Sequence, residues 1–385
     1  MDLNLTEEQQ MIQDAARRYA ESELAPTAEQ LDQTKDHSIL TAHCRELAEL
    51  GFMGLNIDAD YGGTEAGAVA FSVAVTEIAR ACASTAVTMS VTNMVAEVIQ
   101  VVGNEEQKQH YLPKICSGEY LSGSFCLTEA GAGSDPASMR TKAVKTDTGW
   151  SISGTKQWIT SAEFAGVFVV WAVTDPEARK GKGITCFLVP ADTAGITVGA
   201  AEKKMGQHGS ATNEVHFDQC EVPDSAILGK LNDGFRIAVS ELAGGRIGVG
   251  SLALGIGLAA MDYAIAYTKE RQQFGKPIAD FQGLQWMIAD RMTELEAARL
   301  LLMSAADRKQ RGQSFAKEAS MAKLFASEKA NQACYTALQL LGGYGYMQEY
   351  PLERMSRDVR ITSIYEGTSE VQRLIIAREI LNAAS

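Results

Sequence analysis

Glu214-Val215-His216-Phe217-Asp218-Gln219-Cys220-Glu221-Val222-Pro223 alternates apolar and polar residues for much of its length. Side chains of an extended chain point to opposite faces in turn, so this pattern predicts a strand with one face in a core. Trp150–Ser153, Val167–Thr174 and Thr185–Pro190 are similar short runs rich in β-branched and aromatic residues, with Gly, Asp and Pro between them. Residues 120–230 therefore read as a β domain. No helical pattern is interleaved with these runs, which argues against a parallel βαβ sheet and for antiparallel pairing.

Helical periodicity surrounds this segment. Thr6-Glu7-Glu8-Gln9 is a capping box, and Met11, Ile12, Ala15, Ala16, Tyr19 and Ala20 follow at helical spacing. A helix is predicted from residue 6 to about 23, interrupted by Pro26. A second covers 38–50 and stops at Gly51, and Tyr61-Gly62-Gly63 is a turn. Residues 66–116 hold two or three helices, one ending near Gly103 and the next spanning Glu105–Cys116. Beyond 232, Phe281, Leu284, Ile288, Met292 and Leu295 form a stripe, and Phe315–Leu341 repeats it up to Gly342-Gly343. Pro277 and Pro351 fall in connections. The fold class is α+β and mostly α: an all-α domain over 1–119, an antiparallel β domain over 120–230 and a helical bundle over 231–385.

Composition limits the function. The 385 residues are 46% hydrophobic and 22% charged, as in an ordinary globular protein. Lys+Arg 35 against Asp+Glu 48 gives a net charge of −13, which disfavours a nucleic-acid partner. A small anionic ligand remains possible through local cations. The longest apolar stretches, such as Gly166–Val173, fall short of the roughly 20 residues of a membrane span. The N-terminus lacks the basic and apolar regions of a secretory signal. Seven cysteines without a C-x-x-C, and five histidines without an H-x-x-x-H pair, point to free buried thiols and no structural metal.

Five segments have the residue types of a binding site. Phe125-Cys126-Leu127-Thr128-Glu129-Ala130-Gly131-Ala132-Gly133-Ser134-Asp135-Pro136 follows a strand, and its glycines permit close approach of a ligand. It is no dinucleotide fingerprint, because Pro136 stands where the third Gly belongs, and it also suits an ordinary loop. Gln157-Trp158-Ile159-Thr160-Ser161 reads, taken alone, as strand core. Arg271-Gln272-Gln273-Phe274-Gly275-Lys276-Pro277 joins two helices with cations suited to phosphate or to solvent. Gln339-Leu340-Leu341-Gly342-Gly343-Tyr344-Gly345-Tyr346 has more glycine than a helix cap needs. In Ile364-Tyr365-Glu366-Gly367-Thr368-Ser369-Glu370, Glu366 is either a solvated acid at a helix start or a partly buried base.

These segments, in this order and within this helix–strand–helix layout, resemble the acyl-CoA dehydrogenase family over nearly the whole chain. Val102-Gly103-Asn104-Glu105-Glu106-Gln107-Lys108, Lys204-Met205-Gly206-Gln207-His208-Gly209-Ser210 and Gly244-Gly245-Arg246-Ile247-Gly248 add to the likeness, which is greatest to short-chain and short/branched-chain members. The resemblance implies a C-terminal four-helix bundle, FAD as cofactor and α,β-dehydrogenation of an acyl-CoA thioester. Glu366 is then the base that removes the α-proton while the β-hydride leaves to flavin N5. The alternative base position, just before the arginine of Gly-Gly-Arg, is Gly245 here. Phe125, Cys126, Leu127, Thr128, Gly133 and Ser134 correspond to the loop along the flavin, with Ser134 toward CoA. Trp158, Ile159 and Thr160 correspond to the strand beside the isoalloxazine. Arg271, Phe274 and Gln282 match positions reaching the FAD of a neighbouring subunit, and Gln339, Leu340, Gly342 and Gly343 its adenine-side loop. Thr368 and Glu370 follow the base. Arg246 matches a CoA-side arginine, Tyr365 flanks the substrate, and Gly367 leaves room for the acyl chain. Ala243 stands where the family often has an aspartate.

The resemblance further implies a homotetramer, an acyl-CoA substrate, reoxidation by an electron-transfer flavoprotein, and no membrane or nucleic-acid partner. The expected compartment is the bacterial cytoplasm, or the mitochondrial matrix after removal of a transit peptide. Two other readings stay open at this point: an oxygen-using oxidase and a non-catalytic acyl-CoA-binding protein of the same fold.

Overall fold

The computed structural model describes residues 4–382. Helix α1 (Glu7–Tyr19) begins with the anticipated capping box, in which Gln9 N donates to Thr6 Oγ1 and Thr6 N to Gln9 Oε1. Pro26 does not interrupt the helix. A π-helical turn over Ala20–Leu24 leads directly into α2 (Ala25–Thr34), with Pro26 in its first turn. The wider turn absorbs the missing N–H of proline, which early helix positions tolerate. Then come α3 (His37–Glu49), α4 (Gly67–Ala81), α5 (Ala83–Val102) and α6 (Glu105–Cys116).

The middle of the chain supplies β1 (Ser122–Cys126), β2 (Lys142–Lys145), β3 (Gly149–Thr160), β4 (Ala165–Val173), β5 (Ile184–Pro190), β6 (Ile196–Val198), β7 (Thr212–Pro223) and β8 (Ile227–Leu228). They form one eight-stranded sheet in the order β6-β7-β3-β2-β4-β5-β8, with β1 joined to β4. Most ladders are antiparallel, but β1 pairs with β4 in parallel, and β2 does so at one residue pair. Parallel neighbours need a long crossover. Here it is residues 127–164, which themselves contain β2 and β3, so the absence of helical pattern did not exclude it.

The C-terminal part is α7 (Gly234–Glu270), a hairpin of β9 (Gln272–Gln273) and β10 (Lys276–Pro277), then α8 (Gln282–Gln310), α9 (Ala316–Leu340), α10 (Leu352–Arg360) and α11 (Ser369–Asn382). One core joins α1–α5 to α7–α10. The sheet is buried on both faces. Val167, Val169 and Trp171 of β4 pack with α5, α6 and the start of α7, while Phe168, Val170 and Ala172 enter a core with β3, β5 and β7. This double burial explains why Val167–Thr174 reads as a continuous apolar run.

Two helices, α5 and α7, are by length and composition apolar enough to span a membrane, contrary to the sequence-based expectation. In each, most of the apolar stretch is buried inside the protein (72% and 67%).

Lys156 of β3 is fully buried and ion-paired to Glu129 at 2.9 Å. Glu129 also accepts the backbone N–H groups of Arg140 and Thr141, at 2.6 and 2.9 Å. Lys156 Nζ donates as well to Leu127 O at 3.2 Å, so the pair ties the glycine-rich segment to the sheet. Removing one partner of such a pair strands a buried charge. Glu129→Ala should lower stability by about 3–5 kcal/mol in urea denaturation, and the double change Glu129→Gln with Lys156→Met by clearly less.

Candidate active site

Glu366 lies in the connection between α10 and α11, after a 3-10 turn at Ile361–Ser363. Its φ is +56° and that of Gly367 is +89°. Left-handed backbone at a non-glycine residue is uncommon and costs about 1–3 kcal/mol, so it needs support from its surroundings. Buried Gln372 gives that support, donating from Nε2 to Glu366 O at 3.0 Å and to Gly367 O at 2.9 Å. Lys323 Nζ donates to Gly367 O at 2.8 Å. Thr368 caps α11 by accepting Val371 N at 3.3 Å. Upstream, the Tyr365 hydroxyl accepts from Gln207 Nε2 at 3.2 Å, which links the base to the Lys204–Ser210 segment.

This turn directs the Glu366 carboxyl group inward. Oε2 is closed off from solvent and has no hydrogen-bond partner, although the residue as a whole is not fully buried. A Cβ at Gly245 of α7 would come within 2.9 Å of Oε2 and 2.8 Å of Met94 Sδ, so the carboxyl group and Met94 of α5 share that space. Burial pushes the carboxyl up to about 7, against the downward pull of Arg246 and then Lys323. A carboxylate with this affinity takes up a proton near neutrality. Among the described residues the Glu366 N–H meets no acceptor. The sequence left two readings of Glu366 open, and the structure encloses its Oε2 rather than leaving it solvated.

The flavin-side segments converge separately. Ser124 Oγ donates to Thr160 O at 2.7 Å, Ser122 Oγ to Ser161 O at 3.2 Å, and Gln157 N to Thr128 O at 2.9 Å. These bonds align the end of β1 with the end of β3. The β3–β7 register shifts between Lys156 and Ile159, and Trp158 adopts φ +57°. The shift turns Trp158 outward to 57% exposure, so it is no core residue as strand alternation suggested. Cys126, Leu127 and Ile159 have core side chains and can offer a ligand only backbone. Phe125 stacks at 4.2 Å on Trp171. Gly133 and Ser134 are exposed, and a Cβ at Gly131 or Gly133 would meet nothing within 4 Å. Helix α5 carries both edges of the site: Thr88 accepts from Ser161 Oγ at 3.4 Å, and Met94, about 9 Å further along, adjoins Glu366.

Arg271, Phe274, Gln339, Leu340, Gly342 and Gly343 line a different groove, of about 810 Å³. The Arg271 guanidinium sits 5.3 Å from the Tyr344 ring, and Phe274 at the tip of the β9–β10 hairpin is 92% exposed. Gln282 is exposed at the start of α8, and Glu370 is exposed in the first turn of α11. Neither Glu366 nor the flavin-side segments line this groove.

Arg246, anticipated toward CoA, is buried beside Glu366, with Nε unpaired and Nη1 3.4 Å from Ser320 Oγ. Its position on the buried stripe of α7 turns it inward. Gly367 has a left-handed backbone, and a Cβ there would lie 2.8 Å from Gln372 Nε2. Ala243 is buried, and Glu241, also buried, is pushed up to about 7 by burial and by Glu97, with Lys309 opposing.

Residues 6–119, 124–220 and 232–381 match the N-terminal, middle and C-terminal domains of acyl-CoA dehydrogenase. The chain belongs to the acyl-CoA dehydrogenase family. It is 43% identical to the mitochondrial short-chain specific acyl-CoA dehydrogenase of Mus musculus, over 99% of this chain and 92% of that protein. It is 44% identical to the acryloyl-CoA reductase (NADH) of Anaerotignum propionicum, over 99% and 96% of the two chains. The solved butyryl-CoA dehydrogenase of Megasphaera elsdenii superposes with a TM-score of 0.95 at 40% identity, covering 99% and 100%. As an acyl-CoA dehydrogenase family member the chain is an oxidoreductase acting on CH–CH groups, and its cofactor is FAD. The open cradle at Gly131 and Gly133 and the outward Trp158 fit such a planar, phosphorylated group.

Lys323 and Gln372 escaped the sequence reading. Lys323 carried a signal: it lies on the stripe of Ala319, Ala322, Ala326 and Ala330, all fully buried. For Gly245→Ala the new methyl group meets two flexible side-chain ends, so melting should change little. Displacement of the carboxylate should slow acyl-CoA-dependent flavin reduction by roughly tenfold to a hundredfold, read by stopped-flow absorbance.

Proposed function

We propose that the protein oxidises short or branched acyl-CoA thioesters to trans-2-enoyl-CoA, with Glu366 as the base. The observation that carries this reading is the enclosed, unpartnered Glu366 Oε2, held near a neutral titration point by burial. FAD, when bound, would supply the redox chemistry as acceptor of the hydride lost from the β-carbon. The chain's own groups do the rest. Oε2 would remove the α-proton, and the Glu366 N–H, which meets no acceptor among the described residues, would donate to the thioester oxygen as negative charge develops there. The backbone of Phe125–Thr128, Ser134 and the Trp158–Thr160 segment would hold the flavin end. Arg271, Phe274, Gln282, Gln339, Leu340, Gly342 and Gly343 would reach the cofactor of a second subunit, since in one chain their groove is apart from Glu366. That division supports a homo-oligomer, which we take to be a tetramer.

A short acyl chain is supported by the space itself. Met94 and Glu366 crowd Gly245, while Ser90 and Phe71 crowd Gly248 one turn further along α7. The proposed electron acceptor is an electron-transfer flavoprotein, in keeping with family kinship. The acryloyl-CoA reductase among the relatives favours a second reading, reduction of a 2-enoyl-CoA. The same carboxyl group would then return the proton to the α-carbon.

Glu366→Gln should keep its yellow FAD and bind acyl-CoA but lose bleaching by about 10²-fold or more. Rapid bleaching by this variant would remove the base assignment. The base must be ionised to accept a proton. In the wild type, kcat/KM should therefore fall as pH drops through about 7, where Glu366 becomes protonated. Reoxidation of the reduced enzyme by electron-transfer flavoprotein should be fast and by air slow; the opposite order would indicate an oxidase.

A further inference from the structure

Lys323 is fully buried near the middle of α9. Its ammonium makes one hydrogen bond, to Gly367 O at 2.8 Å, and no ion pair among the described residues. A buried cation bonded only to a neutral carbonyl is costly unless a negative charge lies close by. The foremost negative charge acting on Lys323 is that of Glu366, with weaker effects from Glu328 and Glu370.

The groups around the carboxylate are few. Helix α7 presents Arg246 and α9 presents Lys323, while α5 contributes the uncharged Met94. From α11, Glu370 acts on Lys323 and Arg378 acts on Arg246. Two buried cations thus act on one carboxyl group whose enclosed Oε2 has no hydrogen bond. Arg246 is charged at every working pH. Lys323 is pushed down to about 8 by burial, so its charge is present at neutrality and lost as pH rises further.

We propose that Lys323 is a positioning residue for the base: it holds the Gly367 carbonyl that fixes the left-handed turn, and its nearby charge favours the ionised form of the Glu366 carboxyl group. The proposal rests on the reading of Glu366 as the base. Gln372 shares the first task, as it bonds the same carbonyl, but being neutral it does not share the second.

The test uses the FAD-loaded protein and butyryl-CoA. Protonation of the Glu366 carboxyl group is followed by infrared difference titration, assigned by its absence in Glu366→Gln. The pH profile of flavin bleaching is recorded alongside. Lys323→Met should raise the carboxyl midpoint and the acid limb of the profile together, by about one pH unit. Bleaching at neutral pH should fall by up to about tenfold as the ionised fraction drops. Lys323→Arg should restore the wild-type midpoint. Lys323→Gln, which keeps a donor toward Gly367 without the charge, should shift like Lys323→Met, and it carries the comparison if the methionine variant does not fold. An unchanged midpoint in the uncharged variants, or an equal shift in Lys323→Arg, overturns the proposal. Bleaching by Glu366→Gln would instead overturn the base assignment, and the infrared midpoints report on Lys323 independently of it.

Discussion

The Glu366 carboxyl group is enclosed by α5, α7 and α9, which offer its Oε2 two cations and a thioether but no hydrogen bond. Water would solvate a carboxylate far better, so this arrangement costs free energy unless something later occupies the space. The cost is contained by the backbone. Two successive left-handed residues are held by Gln372 and Lys323, so the backbone that directs the side chain inward cannot change without breaking three hydrogen bonds. A side chain kept in an unfavourable environment by its own main chain is suited to proton transfer, because burial has already brought its proton affinity near neutrality.

The β domain solves a different problem. A ligand loop rich in glycine has little to keep it in one place. Here its two ends are fixed from behind by Ser122 and Ser124 on one side and by the Glu129–Lys156 pair on the other. The sheet can serve as that support because both of its faces are buried against apolar cores. The stretch between, around Gly131 and Gly133, is the part with open space beside it.

Much of this was legible beforehand. The capping box before α1, the end of α3 at Gly51 and the helix over Glu105–Cys116 follow from local chemistry, and the structure has them where the sequence placed them. What escaped depended on non-local geometry. The π turn before Pro26 and the register shift that turns Trp158 outward are properties of a chain packed against neighbours. The parallel β1–β4 pair arises from a crossover built of strands. Arg246 and Lys323 were legible in principle, since each falls on an otherwise apolar helical stripe. A buried cation on such a stripe calls for a nearby carboxylate, and the sequence alone did not show that Glu366 was its neighbour.

Helix α7 shows how packing and chemistry divide the same residue type. Glycine inside a helix costs about 1 kcal/mol relative to alanine, so each one needs a reason. At Gly255 a Cβ would strike the Thr76 carbonyl at 2.2 Å, which is close backbone packing against α4. At Gly245 the obstacles are instead Met94 Sδ and Glu366 Oε2, both mobile ends of side chains. Packing alone would therefore tolerate a small residue at 245, and the constraint there comes from the space the base occupies. A carboxylate carried by α7 at that position would compete for the same volume and repel Glu366 at close range. A carboxylate at 245 and Glu366 would compete for one space, and with glycine at 245 that space is left to Glu366.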